Sequence, residues 1–139
     1  MYPHILVAVD GSDNAFRAAQ EAIKIAKLSK ACMVEIVYVV NVEKVKNELL
    51  RAGSPETMEL ARQRKIAPVE QALTAAQVPF QTTILKGEPG PEIVRYANEN
   101  QVDLVVIGSR GLNRFQEMVL GSVSHKVMKR VQCPALVVK

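Results

Sequence analysis

At 139 residues the chain is long enough for one hydrophobic core and fits a single domain spanning 1–139. Its composition, 48% hydrophobic and 23% charged, is that of a globular protein. The net charge of +4 is spread along the chain apart from Arg62-Gln63-Arg64-Lys65, and there is no Trp. That argues against a nucleic-acid partner, whether through a basic patch or through an aromatic stacking platform.

The elements follow in order. Ile5–Val9 is a short uninterrupted apolar run, the pattern of a strand buried on both faces. Asp10-Gly11-Ser12-Asp13-Asn14 supplies turn and N-cap residues, and alanines at helical spacing then predict a helix over 13–30. Residues 33–40 read as a second buried strand. Residues 41–53 are ambiguous: Val42, Val45 and Leu49 fit a short helix that Gly53 would stop. Ser54-Pro55 opens a long helix to about Gln77, with a kink or break expected at Pro68. The run at 62–65 reads as a solvated face of that helix.

Alternation in 79–87 predicts a strand near a sheet edge. A proline-primed helix over 88–100 and a third apolar strand, 103–108, follow. Residues 122–131 are helical, and the apolar stretch Cys133–Lys139 is a last strand. Strict alternation implies an α/β fold, a parallel sheet with right-handed crossovers and helices on both faces. In such sheets a ligand sits beyond the carboxyl ends of the strands. If the first and fourth strands are neighbours, the loops at Asp10 and at Gly108 flank one crevice.

The two cysteines, Cys32 and Cys133, are too few for a metal site or disulfide scaffold. No stretch resembles a signal peptide, and no apolar run approaches the length of a bilayer crossing. A soluble, cytoplasmic protein with no membrane partner is expected.

The chemistry concentrates in GSRGLNRFQEMVLGS, residues 108–122. Gly108, at a strand exit, lets the chain turn and a ligand approach. Gly111 is suited to a positive φ that exposes successive N–H groups. Gly121 and Ser122 open a helix, where unsatisfied amides and the dipole favour a phosphate. Ser122 and Ser124 offer hydroxyl donors, and Arg110 a guanidinium. The same glycines also read as turn punctuation and Gly121-Ser122 as a simple N-cap. Neither the Walker string nor the GxGxxG fingerprint occurs.

These residues resemble the universal stress protein family. The Gly-x2-Gly-x9-Gly-Ser motif of its nucleotide-binding branch stands complete at Gly108, Gly111, Gly121 and Ser122. The opening ILVAVDGS and the closing LGSVSHKVMKRVQCPALVV are similar to the family's text, and 41–67 is the least typical part. The resemblance implies a three-layer α/β/α, Rossmann-like domain with strand order 3-2-1-4-5. It implies an adenine nucleotide, ATP or AMP, with Mg²⁺ as an accompaniment to a triphosphate. Ala8, Val9 and Asp10 would then lie against the adenosine and Val39 against the adenine. Ile107 and Gly108 would line the pocket, and Arg110 and Gly111 would border ribose and phosphates. Gly121, Ser122, Val123 and Ser124 would hold the phosphates. Asp10 has a second role open to it, as cap of the first helix.

No catalytic residue and no metal-ligand set is assigned. His4 is expected at the opposite end of the sheet, and His125 on a helix surface. The resulting expectation is a nucleotide-binding stress-response sensor or regulatory module. Its alternatives are an interaction module with an unused crevice and a weak ATPase. The resemblance also implies a homodimer through the edge strand Pro134–Lys139.

Overall fold

The computed structural model describes residues 1–41, 43–44, 46–47, 54–110 and 121–139. Five parallel strands, β1 (His4–Ala8), β2 (Met33–Val40), β3 (Phe80–Lys86), β4 (Leu104–Gly108) and β5 (Ala135–Val138), form one sheet in the order β3-β2-β1-β4-β5. The expected strand order is the observed one, and β1 and β4 are neighbours, with Ile5 opposite Leu104.

Helices cover both faces. On one, α1 (Asp13–Ala26) and α2 (Pro55–Ala75) bury Ala18, Ala19, Ala22, Ile66, Val69 and Leu73 against Ile5, Val7, Val34, Ile36 and Val106. On the other, α3 (Pro89–Glu99) and α4 (Ser122–Arg130) bury Ile93, Ala97 and Val127 against Leu6, Val37, Val105 and Ile107. The alternation of side chains along each strand feeds both cores, so the central strands carry no polar face to water. Alanines on α1 bring that helix close to the sheet.

Two expectations about helices change. α1 ends at Ala26, four residues short of the predicted end, where Lys27 N–H closes on Ile23 O at 3.0 Å and the buried stripe runs out. α2 does not break at Pro68. Proline removes one intrahelical hydrogen bond, but Pro68 is exposed while Ile66, Val69 and Leu73 pin the helix on both sides of it. Between β2 and α2, Asn41 Oδ1 accepts from the amides of Glu43 and Lys44 at 3.1 and 3.4 Å, and Glu43, Lys44, Lys46 and Asn47 are helical. Val42, Val45, Leu49 and Gly53 lie outside the described residues.

One core residue is a surprise for an apolar strand. Glu35 on β2 is fully buried. Its carboxylate accepts from His4 Nε2 at 2.7 Å, Thr83 Oγ1 at 2.5 Å and the Tyr96 hydroxyl. Because a carboxylate only accepts, the His4 tautomer here carries its proton on Nε2. Burial disfavours the charge, but the donors of Thr83, Tyr96 and His4 outweigh it and hold the carboxyl below the usual range. The same cluster places His4 at the amino end of β1, away from the carboxyl ends of the strands.

The sign of the linkage follows. A carboxyl whose folded pKa is depressed stabilises the fold fully at neutral pH. That stabilisation is lost as pH falls from the ordinary glutamate range through the lower folded value. Glu35→Gln should therefore destabilise the protein by about 3 kcal/mol at pH 7. It should also flatten the acid limb of a melting-temperature profile; a variant with a wild-type acid limb would disprove the role of this carboxylate.

Candidate nucleotide site

A crevice of about 830 Å³ opens at the carboxyl ends of β1, β2 and β4. This is where the sheet reverses its winding direction, and the volume suits a small-molecule ligand. Ala8, Val9 and Asp10 line it from the end of β1 and the turn after it, Val39 from β2, and Ile107, Gly108 and Arg110 from the end of β4 and the residues after it. Gly121, Ser122, Val123 and Ser124 line it from the start of α4. Eleven of the twelve site residues expected from the sequence thus meet at one cavity. The twelfth, Gly111, lies outside the described residues, as does the intervening 112–120.

The two glycine half-sites are joined by hydrogen bonds. Gly121 N–H donates to Ser109 O at 2.8 Å, and Ser124 Oγ donates to Ser109 O at 2.9 Å. Ser124 also lies 3.0 Å from Gly121 O and is buried. Its single proton is therefore directed at backbone carbonyls, so in this conformation Ser124 braces the loop. Ser122 is exposed to the crevice.

The α4 terminus is the anion-seeking end. Gly121 is its N-cap and supplies no side-chain acceptor, so the first-turn amides at Ser122, Val123 and Ser124 have no side-chain cap. The first turn holds no carboxylate. α3 also begins at the crevice, but Pro89 and Pro91 lack N–H groups, and Glu88 and Glu92 place negative charge there. Of these two helix starts, only α4 offers consecutive donors and an unopposed dipole.

Gly108 and Gly121 differ in kind. A Cβ on Gly108 would stand 2.8 Å from the Asn14 backbone carbon and 2.9 Å from its oxygen. The missing side chain of Gly108 admits the first turn of α1, while its backbone lines the crevice. Around it Asn14 Nδ2 donates to Ser109 Oγ at 3.1 Å, and Arg17 donates to Asn14 Oδ1 and to Lys139 O. Among the described residues, a Cβ on Gly121 would meet nothing nearer than 3.5 Å. The described residues leave room for a methyl group there.

Asp10 does not cap α1. Ser12 does, accepting from Ala15 N–H at 3.1 Å, while Asp10 Oδ1 accepts from Ser12 N–H at 2.9 Å. Asp10 remains at the crevice wall with one carboxylate oxygen held in this turn. Neither His4 nor His125 is among the lining residues, and His125 is exposed. Among the described residues no group of three His, Cys, Asp or Glu is disposed to hold a metal ion.

Sequence reasoning missed several members of the site. Ser109 sits inside the quoted motif but carries no glycine or charge to mark it. Arg62 and Lys65 of α2, read as part of a solvated face, line the crevice, while Gln63 and Arg64 are exposed. Helical spacing from the buried Ile66 and Val69 was the available signal. Lys126, one turn into α4, also lines the cavity.

The two glycines give a paired prediction. Gly108→Ala should cost about 2 kcal/mol, lowering Tm by roughly 6 °C, because Asn14 backbone must move. Gly121→Ala should leave Tm near wild type. Equal melting losses in the two variants would contradict the distinction.

Comparison with known proteins agrees with this architecture. Residues 1–139 match the Universal stress protein family. Universal stress protein YxiE of Bacillus subtilis is 33% identical over 157 residues, covering all of both chains. The solved structure of protein MJ0577 of Methanocaldococcus jannaschii superposes with a TM-score of 0.87 at 29% identity, covering 100% of this chain and 96% of that one. A universal stress protein solved in complex with cAMP gives a TM-score of 0.74 at 25% identity, covering 99% and 96%. With the sheet order, the crevice and these relatives in agreement, the chain belongs to the universal stress protein family.

Proposed function

We propose that the protein binds an adenine nucleotide, ATP or AMP, in the crevice and acts as a sensor or regulatory module in a stress response. The observation that carries this reading is the uncapped start of α4, tied to the exit of β4 through Ser109. It offers backbone donors to a phosphate beside an apolar wall of Ala8, Val39 and Ile107 suited to a base. A relative 25% identical to this chain was solved in complex with cAMP, which supports the adenosine half of the assignment.

In this reading Asp10 and the backbone of Ala8 and Val9 face the adenosine, and Val39 faces the adenine. Arg110 and Gly111 border the ribose and phosphates. Ser122, Val123 and Ser124 hold phosphate oxygens through their amides, and Ser122 adds its hydroxyl. A Mg²⁺ ion arriving with a triphosphate would be held chiefly by phosphate oxygens and water, with Asp10 among the carboxylates that line the crevice. The role proposed is holding a nucleotide rather than transforming it. No described histidine lines the crevice, and Asp10 already accepts a hydrogen bond from the Ser12 amide.

The protein is further proposed to form a homodimer through Pro134–Lys139. β5 is an edge strand whose outer row of backbone groups is unpaired within the sheet, and Leu136 is 37% exposed on it. No described helix is long and apolar enough to cross a membrane.

Calorimetric titration with ATP and AMP tests the ligand. Binding with a Kd below about 1 mM is expected, weakened at least tenfold in Gly121→Val, with a melting scan to verify that the variant is folded. No heat with either nucleotide at millimolar concentration would refute the assignment. Light scattering at micromolar concentration should give twice the monomer mass of 15.3 kDa, and a monomer alone would remove the dimer.

A further inference from the structure

The run Arg62-Gln63-Arg64-Lys65 remains unused by the site as described, and the helix period divides it. Gln63 and Arg64 face solvent, whereas Arg62 and Lys65 are half-buried at the crevice. Positions 58, 62, 65, 69 and 73 form one stripe of α2. Val69 and Leu73 are buried in the core. Toward the helix start the same stripe passes over the crevice, and there it turns cationic.

Lys65 is held in place. Its stem lies across the turn that follows β1: a Cβ on Gly11 would stand 2.8 Å from Lys65 Cγ and 3.1 Å from its Cβ. Gly11 has φ +87°, so glycine serves both the turn and this close approach. Among the described residues neither Arg62 nor Lys65 has a carboxylate within ion-pair distance. Two half-buried cations one helical turn apart repel each other, an arrangement that an anion between them would relieve.

The described lining carries six cationic side chains, Lys44, Arg62, Lys65, Lys86, Arg110 and Lys126, against three carboxylates, Asp10, Glu59 and Glu88. The α4 amides and Arg110 are enough for a single phosphate. The remaining excess calls for more negative charge than a monophosphate brings.

We propose that Arg62 and Lys65 form a second cationic wall of the crevice that selects ligand charge, favouring a nucleoside triphosphate over the monophosphate. This rests on the nucleotide reading above for the adenosine half, whereas the anionic half stands on the wall itself. Each added phosphate strengthens attraction to both walls. Packing of the Lys65 stem on Gly11 limits the freedom lost when its ammonium meets an anion.

The test compares wild type with the double variant R62Q/K65Q, using ATP, AMP and inorganic tripolyphosphate in calorimetric titrations. Both side chains are off the fully buried part of the stripe, and an unchanged Tm verifies the fold. Wild type should bind ATP about tenfold or more tighter than AMP, and the variant should lose most of that ratio because ATP weakens far more than AMP. The wild-type ratio should also shrink at 0.5 M salt, about where screening reaches a few ångströms. No ATP preference in wild type, a variant that keeps the preference, or equal weakening of ATP and AMP would overturn the proposal. If wild type binds neither nucleotide, the nucleotide reading fails and tripolyphosphate decides the wall. Binding that the variant weakens about tenfold upholds it, and no binding or equal binding overturns it.

Discussion

Four hydrogen bonds converge on Ser109, and the crevice depends on them. Its N–H donates to Val138 O at 2.7 Å, which fixes the exit of β4 to the edge strand. Its carbonyl accepts from Gly121 N–H and Ser124 Oγ, which brings the start of α4 back to the sheet. Its hydroxyl accepts from Asn14, which docks the first turn of α1. That last contact exists only because Gly108 leaves room for Asn14. One buried serine beside one glycine thus positions the helices that face each other across the crevice. Gly121, the first described residue after Arg110, is held to Ser109 by this backbone contact.

Electrostatics then gives the crevice a direction. α3 and α4 both start at it, but prolines and glutamates suppress the donor character of α3. α4, capped by a glycine and free of carboxylates in its first turn, keeps its amides for a ligand. Opposite, α2 carries Arg62 and Lys65 on the continuation of its buried stripe. A ligand with an apolar, planar end and a charged end matches this distribution. Far from it, at the amino ends of the strands, Glu35 and its donors His4, Thr83 and Tyr96 form a buried polar cluster that ties β1, β2, β3 and α3 together.

Much of this was legible in the sequence because it is local or periodic. Uninterrupted apolar runs marked β1 and β4, a mostly apolar run marked β2, and the alternating 79–87 marked β3 as lying near an edge. The spacing of Gly108, Gly111, Gly121 and Ser122 pointed to the family and to the crevice that its described members line. The parts that were not legible depend on tertiary contacts. Pro68 reads as a break, yet Ile66, Val69 and Leu73 hold α2 continuous through it. Glu35 sits in an apolar strand with no local sign of its three donors from three other elements. Gly108 reads as a ligand-facing glycine and does line the crevice, but its packing on Asn14, 94 residues earlier in the chain, has no local sign. The cationic face of α2 was partly readable: placing 62 and 65 on the wheel of Val69 and Leu73 turns them inward.

The central claim is that the α4 amides are the anion-holding end of the crevice. Amide chemical-shift mapping of the ¹⁵N-labelled protein during titration with ATP tests it most directly. The account predicts that Ser122, Val123 and Ser124 shift most, together with Asp10 and Ser109, while the amides around Glu35 stay still. Shifts centred on Gly90 at the start of α3, or none at the start of α4, would contradict it.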